Sequence, residues 1–330
     1  MRVTHKSIYN TFTRSLDEIQ GRRVKADMQL TTGKEIVNLE DKPADVVDIK
    51  RYGAKIEQNE NYQGILDETM REMYAVDENL KNISDNVIKV REIGIESLQL
   101  GVQQNIPVLA GYIKGYLQDI VKSANSDFNG HTLFSGTKTR DYSLNKTPEA
   151  QNNDPYEIVQ GTATVDNPSG LKVVFKGNNE DRIINKDDKT TEIVNVKPSE
   201  VFGAGGTKIF EDIIKLYNKL QYKDGVVRQK ENFITKEDSS DIDVLQKNLA
   251  DNFDEINRIS AKVGTRINRL DAINSQMQEE KTRMMDFRSS KEDVNMAEVA
   301  MDLKREETLL NYTLQVGSRI SQNTLFDYLK

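Results

Sequence analysis

The stretch DIDVLQKNLADNFDEINRISAKVGTRINRLDAINSQM covers residues 241–277 and carries an apolar side chain at every seventh position. The repeating residues are Ile242, Leu249, Ile256, Val263, Leu270 and Met277, with Phe253 and Ile267 on neighbouring positions. A seven-residue apolar repeat is typical of a helix that packs along a second helix. At about 1.5 Å per residue, a helix from Ser240 to near Arg288 would be on the order of 75 Å long. Its apolar stripe needs a partner to be buried.

The partner is predicted earlier in the same chain, where a second series has the same period. That series comprises Leu66, Met73, Leu80 and Val87, with Val76, Ile83 and Val90 between them. We expect the two stretches to pack antiparallel, which predicts a mainly α fold: a long helical hairpin, or coiled-coil rod, with a small β-rich insertion. The predicted rod core is Leu66, Met73, Leu80, Val87, Leu249, Ile256, Val263 and Leu270.

Proline and capping residues predict where the helices begin, because proline is tolerated in the first helical turn but breaks a helix interior. Asp41 stands before Lys42 and Pro43, and Asn105 stands before Ile106 and Pro107, so both sites predict helix starts. The sequence SSKE at residues 289–292 fits a capping box and predicts the start of a last helix. Two glycines, Gly264 and Gly317, lie inside helical stretches, and either close helix approach or mild destabilisation would account for them.

Between the helical stretches, short β-like runs alternate with glycine, asparagine and proline turns. The runs are TLF at 132–134, YEIV at 156–159, LKVVF at 171–175 and EIV at 192–194. VFGAGGT at 201–207 is interpreted as a flexible exit linker. The predicted domains are terminal assembly segments (1–40 and 290–330), a helical rod with a β-hairpin (41–147 and 207–289) and a β-rich inserted domain (148–206).

The composition excludes several classes of protein. Charged residues make up 30% of the chain, aromatic residues 7%, and the mean hydropathy is -0.66, which fits elongated, water-exposed helices. The net charge of -7 argues against a nucleic-acid partner, and the absence of cysteine excludes disulfides and thiolate sites. The N-terminal residues show no secretory signal peptide, and no apolar run is long enough for a membrane span.

Motifs for catalysis or for ligand binding are lacking, so the chain is predicted not to be an enzyme and to need no cofactor or metal. His5 and His131 are the only histidines and have no second ligand at metal spacing. GAGGTK at residues 203–208 lacks the glycine spacing of a phosphate-binding loop. Acidic clusters at 187–188 and 238–243 lack the glycine and the distal glutamate of a calcium loop.

Both ends of the sequence resemble the flagellin superfamily. At the N-terminus the resemblance lies in MRVT at 1–4, QLTTGKEI at 29–36 and DKPA at 41–44, where Lys42 replaces the family's usual aspartate. At the C-terminus it lies in NRISAKVGTRINRL at 257–270, residues 297–310, QVG at 315–317 and TLFDYL at 324–329. LFSGTKT at 133–139 is similar to the hook-filament junction branch of the superfamily, rather than to filament flagellins.

The resemblance implies an extracellular structural subunit that joins the flagellar hook to the filament after export through the flagellar type III path. Implied partners are hook-associated protein 1, flagellin, a flagellar export chaperone and further copies of the chain, with neither nucleic acid nor membrane. It also implies terminal helices that are disordered in the free monomer and pair on assembly. The predicted assembly residues are Ile8, Phe12, Leu16, Ile19, Met296, Val299, Leu303, Leu310, Leu314, Ile320 and Leu325.

Three other interpretations fit the same sequence. The chain could be a filament flagellin, present in thousands of copies along the filament. The heptads could instead belong to a cytoplasmic coiled-coil scaffold that forms a stable parallel dimer. Residues 145–206 could form a glycan-binding or hydrolytic module on a helical stalk.

Overall fold

The computed structural model describes residues 2–38, 40–99, 101, 105–138, 154–185, 190–229 and 232–328, with side chains from residue 6 to residue 319. The helices are α1 Arg2–Thr32, α2 Pro43–Glu96, α3 Ile106–Ala124, α4 Pro198–Val201, α5 Lys208–Gln221, α6 Lys236–Glu292 and α7 Met296–Tyr328. The predicted mainly α fold class is thereby confirmed. The chain divides into two compact units, one of Met1–Asn61 with Met277–Lys330 and one of Tyr62–Gln276.

In the second unit, α2 and α6 lie side by side in opposite directions. Ser84 donates a hydrogen bond to the Asn257 side chain at 3.2 Å, and Asn274 donates to Asp67 at 2.9 Å. Pairing of the earlier residue on α2 with the later residue on α6 requires an antiparallel arrangement. The helical hairpin predicted from the two heptad series is therefore the observed architecture.

The apolar heptad residues line the seam between these helices. Each of the eight residues predicted as rod core is at most 2% exposed, and Ile242, Val76, Ile83 and Val90 are at most 1% exposed. Full burial stabilises a side chain of this size by about 1.5–3 kcal/mol, so a seam of this length stabilises the hairpin strongly. Met277, the last residue of the series, is only half-buried.

In the first unit, the beginning of α2 and the end of α6 continue the same antiparallel arrangement. Lys281 forms an ion pair with Glu60 at 2.8 Å, and Lys291 forms one with Asp45 at 2.6 Å. The rings of Tyr52 and Phe287 stack with centroids 5.9 Å apart. Polar and aromatic contacts therefore hold this part of the pair, where the regular apolar series has ended.

Over the described residues, the strands form four short antiparallel hairpins. Their strands are β1 Asp127–Phe128 with β2 His131–Thr132, β3 Tyr156–Gln160 with β4 Leu171–Phe175, β5 Ile183–Asn185 with β6 Thr191–Ile193, and β7 Tyr222–Lys223 with β8 Val226–Val227. The run predicted at 132–134 was misplaced, since the strand ends at Thr132 and buried Leu133 and Phe134 follow in a turn.

The interpretation of residues 201–207 as a flexible linker was wrong. Phe202 is fully buried, and its ring centroid lies 4.9 Å from that of Tyr156 and 5.1 Å from that of Phe210. The glycines of this segment adopt positive φ angles, which let the chain turn tightly from α4 into α5. A segment rich in glycine and without charge is therefore packed against the core, because its one large side chain fills an aromatic cluster.

The predicted helix starts at Pro43 and Ile106 are confirmed. The predicted capping box at residues 289–292 was wrong, because α6 continues to Glu292 and α7 begins only at Met296. The side chain of Asn295 accepts a hydrogen bond from the Glu298 backbone at 3.4 Å, so Asn295 caps α7. Ser289 and Ser290 lie in the last turns of α6 instead, where the Ser290 hydroxyl donates to the carbonyl of Phe287.

Candidate functional site

The two terminal helices, α1 and α7, pack along each other in opposite directions, and we call them the terminal pair. Its seam on α1 contains Ile19 and Ala26, which are 7% and 5% exposed. On α7 it contains Val299 at 7% and Glu306 at 9%. The seam buries far fewer apolar side chains than the one between α2 and α6, so the terminal pair is the less stable of the two.

An ion pair crosses the middle of this seam. The Arg22 guanidinium donates from Nε to Glu306 Oε1 at 2.9 Å and from its terminal nitrogen to Oε2 at 3.2 Å. The hydrogen bond to Glu306 raises the pKa of Arg22. Sequence reasoning missed this pair, although Glu306 stands seven residues after Val299, where the heptad predicts an apolar residue.

Gly317 lies under the ring of Phe12. A Cβ atom at residue 317 would lie 2.4 Å from the Phe12 ring, closer than two carbon atoms approach. Close helix approach is therefore the reason for this glycine. For Gly264, nothing lies within 4 Å of a Cβ atom, so helix packing does not account for it.

The helix breaks beside the terminal pair are joined to each other, and we call residues 33–35 with residues 292–294 the clasp. Glu35 donates its backbone N–H to the carbonyl of Glu292 at 2.8 Å, and Val294 donates to the carbonyl of Gly33 at 3.0 Å. Lys34 Nζ lies 2.7 Å from an Asp293 carboxylate oxygen. Gly33 has a φ of 71°, which a glycine adopts without strain.

Ion pairs surround the clasp and shift the acidities of its carboxyl groups. Hydrogen bonding to Lys34 lowers the pKa of Asp293, and hydrogen bonding to Lys291 lowers that of Asp45. Hydrogen bonding to Lys25, whose Nζ lies 2.8 Å from Asp41, lowers the pKa of that carboxyl. The charged forms of these carboxylates are thus favoured in the folded chain.

The residues predicted for assembly fall on two different faces of the terminal pair. Ile19 and Val299 are buried in its seam, whereas Ile8, Met296 and Leu314 are 47%, 49% and 50% exposed. The half-buried members are Phe12, Leu16, Leu303 and Leu310. The side chains of Ile320 and Leu325 lie outside the described residues. The sequence stripe therefore contains both residues that join α1 to α7 and residues that face outward.

Exposed apolar residues are more numerous on the two helices of the terminal pair than the sequence stripe suggested. Further exposed apolar residues on the two helices are Tyr9, Val24, Met28, Met301, Leu309, Tyr312 and Val316, between 37% and 68% exposed. Exposed apolar residues in such number are typical of protein interaction sites. A groove of about 450 Å³ between the helices is lined by Ser7, Ile8, Thr11, Phe12, Ser15, Tyr312, Thr313 and Val316.

The residues considered as candidates for catalysis or metal binding form no such site within the described part of the chain. His131 is an exposed residue of β2, and the side chain of His5 and residues 187–188 lie outside the described part of the chain. Within the described residues, no group of three or more His, Asp or Glu side chains is placed to hold a metal ion. Over the same residues, no helix combines the length and apolar character needed to cross a membrane.

Solved structures of flagellar proteins share this fold. A flagellar hook-associated protein of Vibrio parahaemolyticus matches with a TM-score of 0.62 and 18% identity, over 77% of this chain and 100% of that chain. FlgL of Xanthomonas campestris matches with a TM-score of 0.52 and 12% identity, over 73% of this chain and 99% of that chain.

The flagellar junction protein FlgL from Legionella pneumophila gives a TM-score of 0.50 at 12% identity, over 76% of this chain and 99% of that chain. No protein-family model and no curated protein matches the sequence. The chain therefore has the fold of flagellar hook-associated proteins, and at these identities the likeness establishes the fold alone.

Proposed function

We propose that the chain is a structural subunit of the bacterial flagellum, and specifically the hook-filament junction protein, hook-associated protein 3. The observation that carries the proposal is the combination of this fold with the many exposed apolar residues on the terminal pair. Independently of the fold, the sequence resemblance at residues 29–44 and 257–270 supports a flagellar subunit, and LFSGTKT at 133–139 supports the junction protein in particular.

The physics of the terminal pair supports assembly through its helices. Its seam buries few apolar residues, while several large apolar side chains remain in water on its outer face. Further copies of the chain, or of similar subunits, would cover this face and stabilise the paired helices further, by about 25 cal/mol for each Å² of apolar surface that they bury. Contacts of this kind that do not close on themselves generate a helical array.

The proposed partners and location follow from the resemblance, and the proposed domain division follows from the sequence pattern. Hook-associated protein 1 would contact the chain on the hook side and flagellin on the filament side, and a flagellar export chaperone would accompany it to the type III export path. The terminal segments 1–40 and 290–330 would assemble, the rod 41–147 and 207–289 would stiffen the subunit, and 148–206 would form the inserted part. In this role the protein carries out no catalysis.

The hairpin geometry favours this function over a parallel coiled-coil scaffold. A scaffold dimer would need the α2 stripe for a second chain, but Leu66, Leu80 and Val87 of that stripe are already buried within the single chain. The free protein should therefore sediment as a monomer. A stable dimer with protected termini would support the scaffold.

Deletion of the gene tests the proposed function. Cells of the deletion strain should carry hooks without filaments and release flagellin into the medium. A plasmid copy of the intact gene should restore attached filaments. Normal filaments on the deletion strain would rule out the junction function.

A further inference from the structure

The ion pair in the seam of the terminal pair occupies a place where the heptad calls for an apolar side chain. Glu306 lies between Val299 and Thr313 at seven-residue spacing and is 9% exposed. Arg22, from α1, supplies both of its hydrogen bonds across the seam. From this geometry we infer that Arg22 and Glu306 determine the axial register in which α1 and α7 pair.

At a spacing of seven residues from Arg22, α1 carries Ser15 and Gln29, and neither is a cation. A slip of one heptad would therefore place Glu306 opposite Gln29, or opposite Ser15 with the Arg14 guanidinium one position out of register. A buried carboxylate without a partner is strongly unfavourable, and a single buried polar residue is known to fix register in coiled coils.

A second contact selects the same register by shape. Only at residue 317 does α7 have a glycine, and the Phe12 ring occupies the space that a Cβ atom would fill. Seven residues away α7 carries Leu310 and Thr324, which both have a Cβ atom. A slipped pair would therefore lose the space that Gly317 leaves for the Phe12 ring, together with the ion pair.

The clasp holds only one end of the terminal pair, whereas these two contacts lie farther along it. Lys34 of the clasp faces Asp293. Farther along the pair, Arg22 faces Glu306 and Phe12 faces Gly317. The three positions follow one antiparallel register, and each uses a different interaction: backbone pairing with charge, an ion pair in which Glu306 is buried while the Arg22 side chain is 52% exposed, and steric fit. Register is thereby specified over most of the described length of the pair.

The register matters for the outer surface because that surface contains residues of both helices. The groove between them is lined by Ile8 and Thr11 from α1 and by Tyr312 and Val316 from α7. A slip of seven residues would bring different side chains together and change the surface offered to a neighbour. This consequence for assembly rests on the proposed function, whereas the register itself does not.

Cross-linking of cysteine pairs measures the register directly, because the natural chain has no cysteine. Ser15→Cys with Tyr312→Cys reports the native register, since both residues line the groove. Ser15→Cys with Arg305→Cys reports a slip of one heptad. The free full-length chain is treated with a short bis-maleimide, and intramolecular links are quantified by gel mobility and peptide mass spectrometry.

In the chain with Arg22 and Glu306 intact, the native reporter should cross-link at least tenfold more than the slipped reporter. Glu306→Leu should reduce this ratio at least fivefold, and the exchange of Arg22→Glu with Glu306→Arg should restore it. Glu307→Leu is the matched control, because Glu307 pairs with Lys304 on its own helix. If Glu306→Leu lowers the helix content, Glu306→Gln is measured in its place, with the same expected loss of ratio.

Equal cross-linking of both reporters in the parent chain, or of neither, would overturn the inference. An unchanged ratio in both Glu306 variants would overturn it as well. Suppose that the cross-linking ratio falls in the Glu306 variants as expected, but that cells without the gene still carry normal filaments. The register would then be upheld and the proposed function rejected. The two proposals therefore fail separately.

Discussion

Ser84 on α2 donates a hydrogen bond to Asn257 on α6 at 3.2 Å, although 173 positions separate the two residues in the sequence. Asp67 with Asn274, and Glu60 with Lys281, continue the same antiparallel order within their own units. The chain thus folds back on itself so that its early and late heptads face each other.

Truncation of a seam residue should destabilise the hairpin. Val263→Ala removes two methyl groups from a fully buried position of α6, and we expect the free energy of unfolding to fall by about 2 kcal/mol. Val244→Ala is the matched control on the same helix, at a position 58% exposed, where a change within about 0.5 kcal/mol is expected. Urea unfolding measures both, and equal effects would contradict the observed seam.

The hydroxyl group of Tyr156 is buried without a hydrogen-bond partner among the described residues. Burial raises the pKa of Tyr156 well above its ordinary value. Tyr156→Phe should leave the free energy of unfolding unchanged or raise it by about 1 kcal/mol, since it removes an unsatisfied polar group and keeps the ring. A fall of more than about 1 kcal/mol in the free energy of unfolding, measured in urea, would refute this account of the Tyr156 hydroxyl.

The two helical glycines should respond differently to alanine. Gly264→Ala should raise the free energy of unfolding by up to about 1 kcal/mol, because a Cβ atom there meets nothing and alanine favours the helix. Gly317→Ala should loosen the terminal pair, because its Cβ atom would meet the Phe12 ring. Hydrogen exchange of the α1 and α7 amides measures the second effect. Phe12→Ala should relieve it, and slower exchange in Gly317→Ala alone would contradict the contact.

Acid should open the clasp. The pKa values of Asp41, Asp45 and Asp293 are lower in the folded chain, so the unfolded carboxyl groups take up protons first as the pH falls. Their stabilisation is therefore complete above their ordinary pKa of about 3.9 and is lost as the pH falls below it. Proteolysis at the breaks beside α1 and α7 should accelerate below about pH 4, and also at 1 M salt, which screens exposed charges.

Removal of Lys34 in the clasp and of Lys291 beside it provides the control for this pH effect. Lys34→Met with Lys291→Met should make proteolysis rapid at neutral pH and reduce its dependence on pH, because the lysines lower the carboxyl pKa values. Lys89→Met should change neither, since Lys89 pairs with Glu92 on the same helix. A pH profile that is the same in all three proteins would show that other groups govern the opening.

The outer face of the terminal pair should be needed for assembly and dispensable for folding. Leu314→Ser removes an exposed apolar side chain, so the helix content of the free chain should stay the same while filament attachment in cells falls. Val244→Ser changes a similarly exposed residue of α6 and should leave attachment normal. Loss of attachment with both variants, or with neither, would argue against this face.

Regular features of the fold were predictable from the sequence, because a heptad repeat records which side of a helix is buried. The seam residues from Leu66 to Leu270 follow that rule. The rule is less informative in the terminal pair, where one apparent stripe contains inward Val299 and outward Leu314. A helix with apolar residues on two faces carries no single stripe, and only its partner identifies the inner face.

Other features depend on contacts between residues far apart in sequence. Nothing local distinguishes Phe202 in its glycine-rich segment from a residue in a solvent-exposed linker, because the rings of Tyr156 and Phe210 bury it. The partner of Glu306 lies 284 positions away. The residues at 289–292 have the sequence of a capping box, but they belong to α6, which continues to Glu292. The local motif therefore predicted the wrong start for the last helix.

The central claim is that this chain joins the hook to the filament, and its position and copy number in cells test that claim most directly. A fluorescent label attached to the chain, with immunogold electron microscopy of the same cells, should show a single spot at the base of each filament and a small ring of copies at the hook end. Label along the whole filament would identify a flagellin, and label confined to the cytoplasm would contradict a flagellar function altogether.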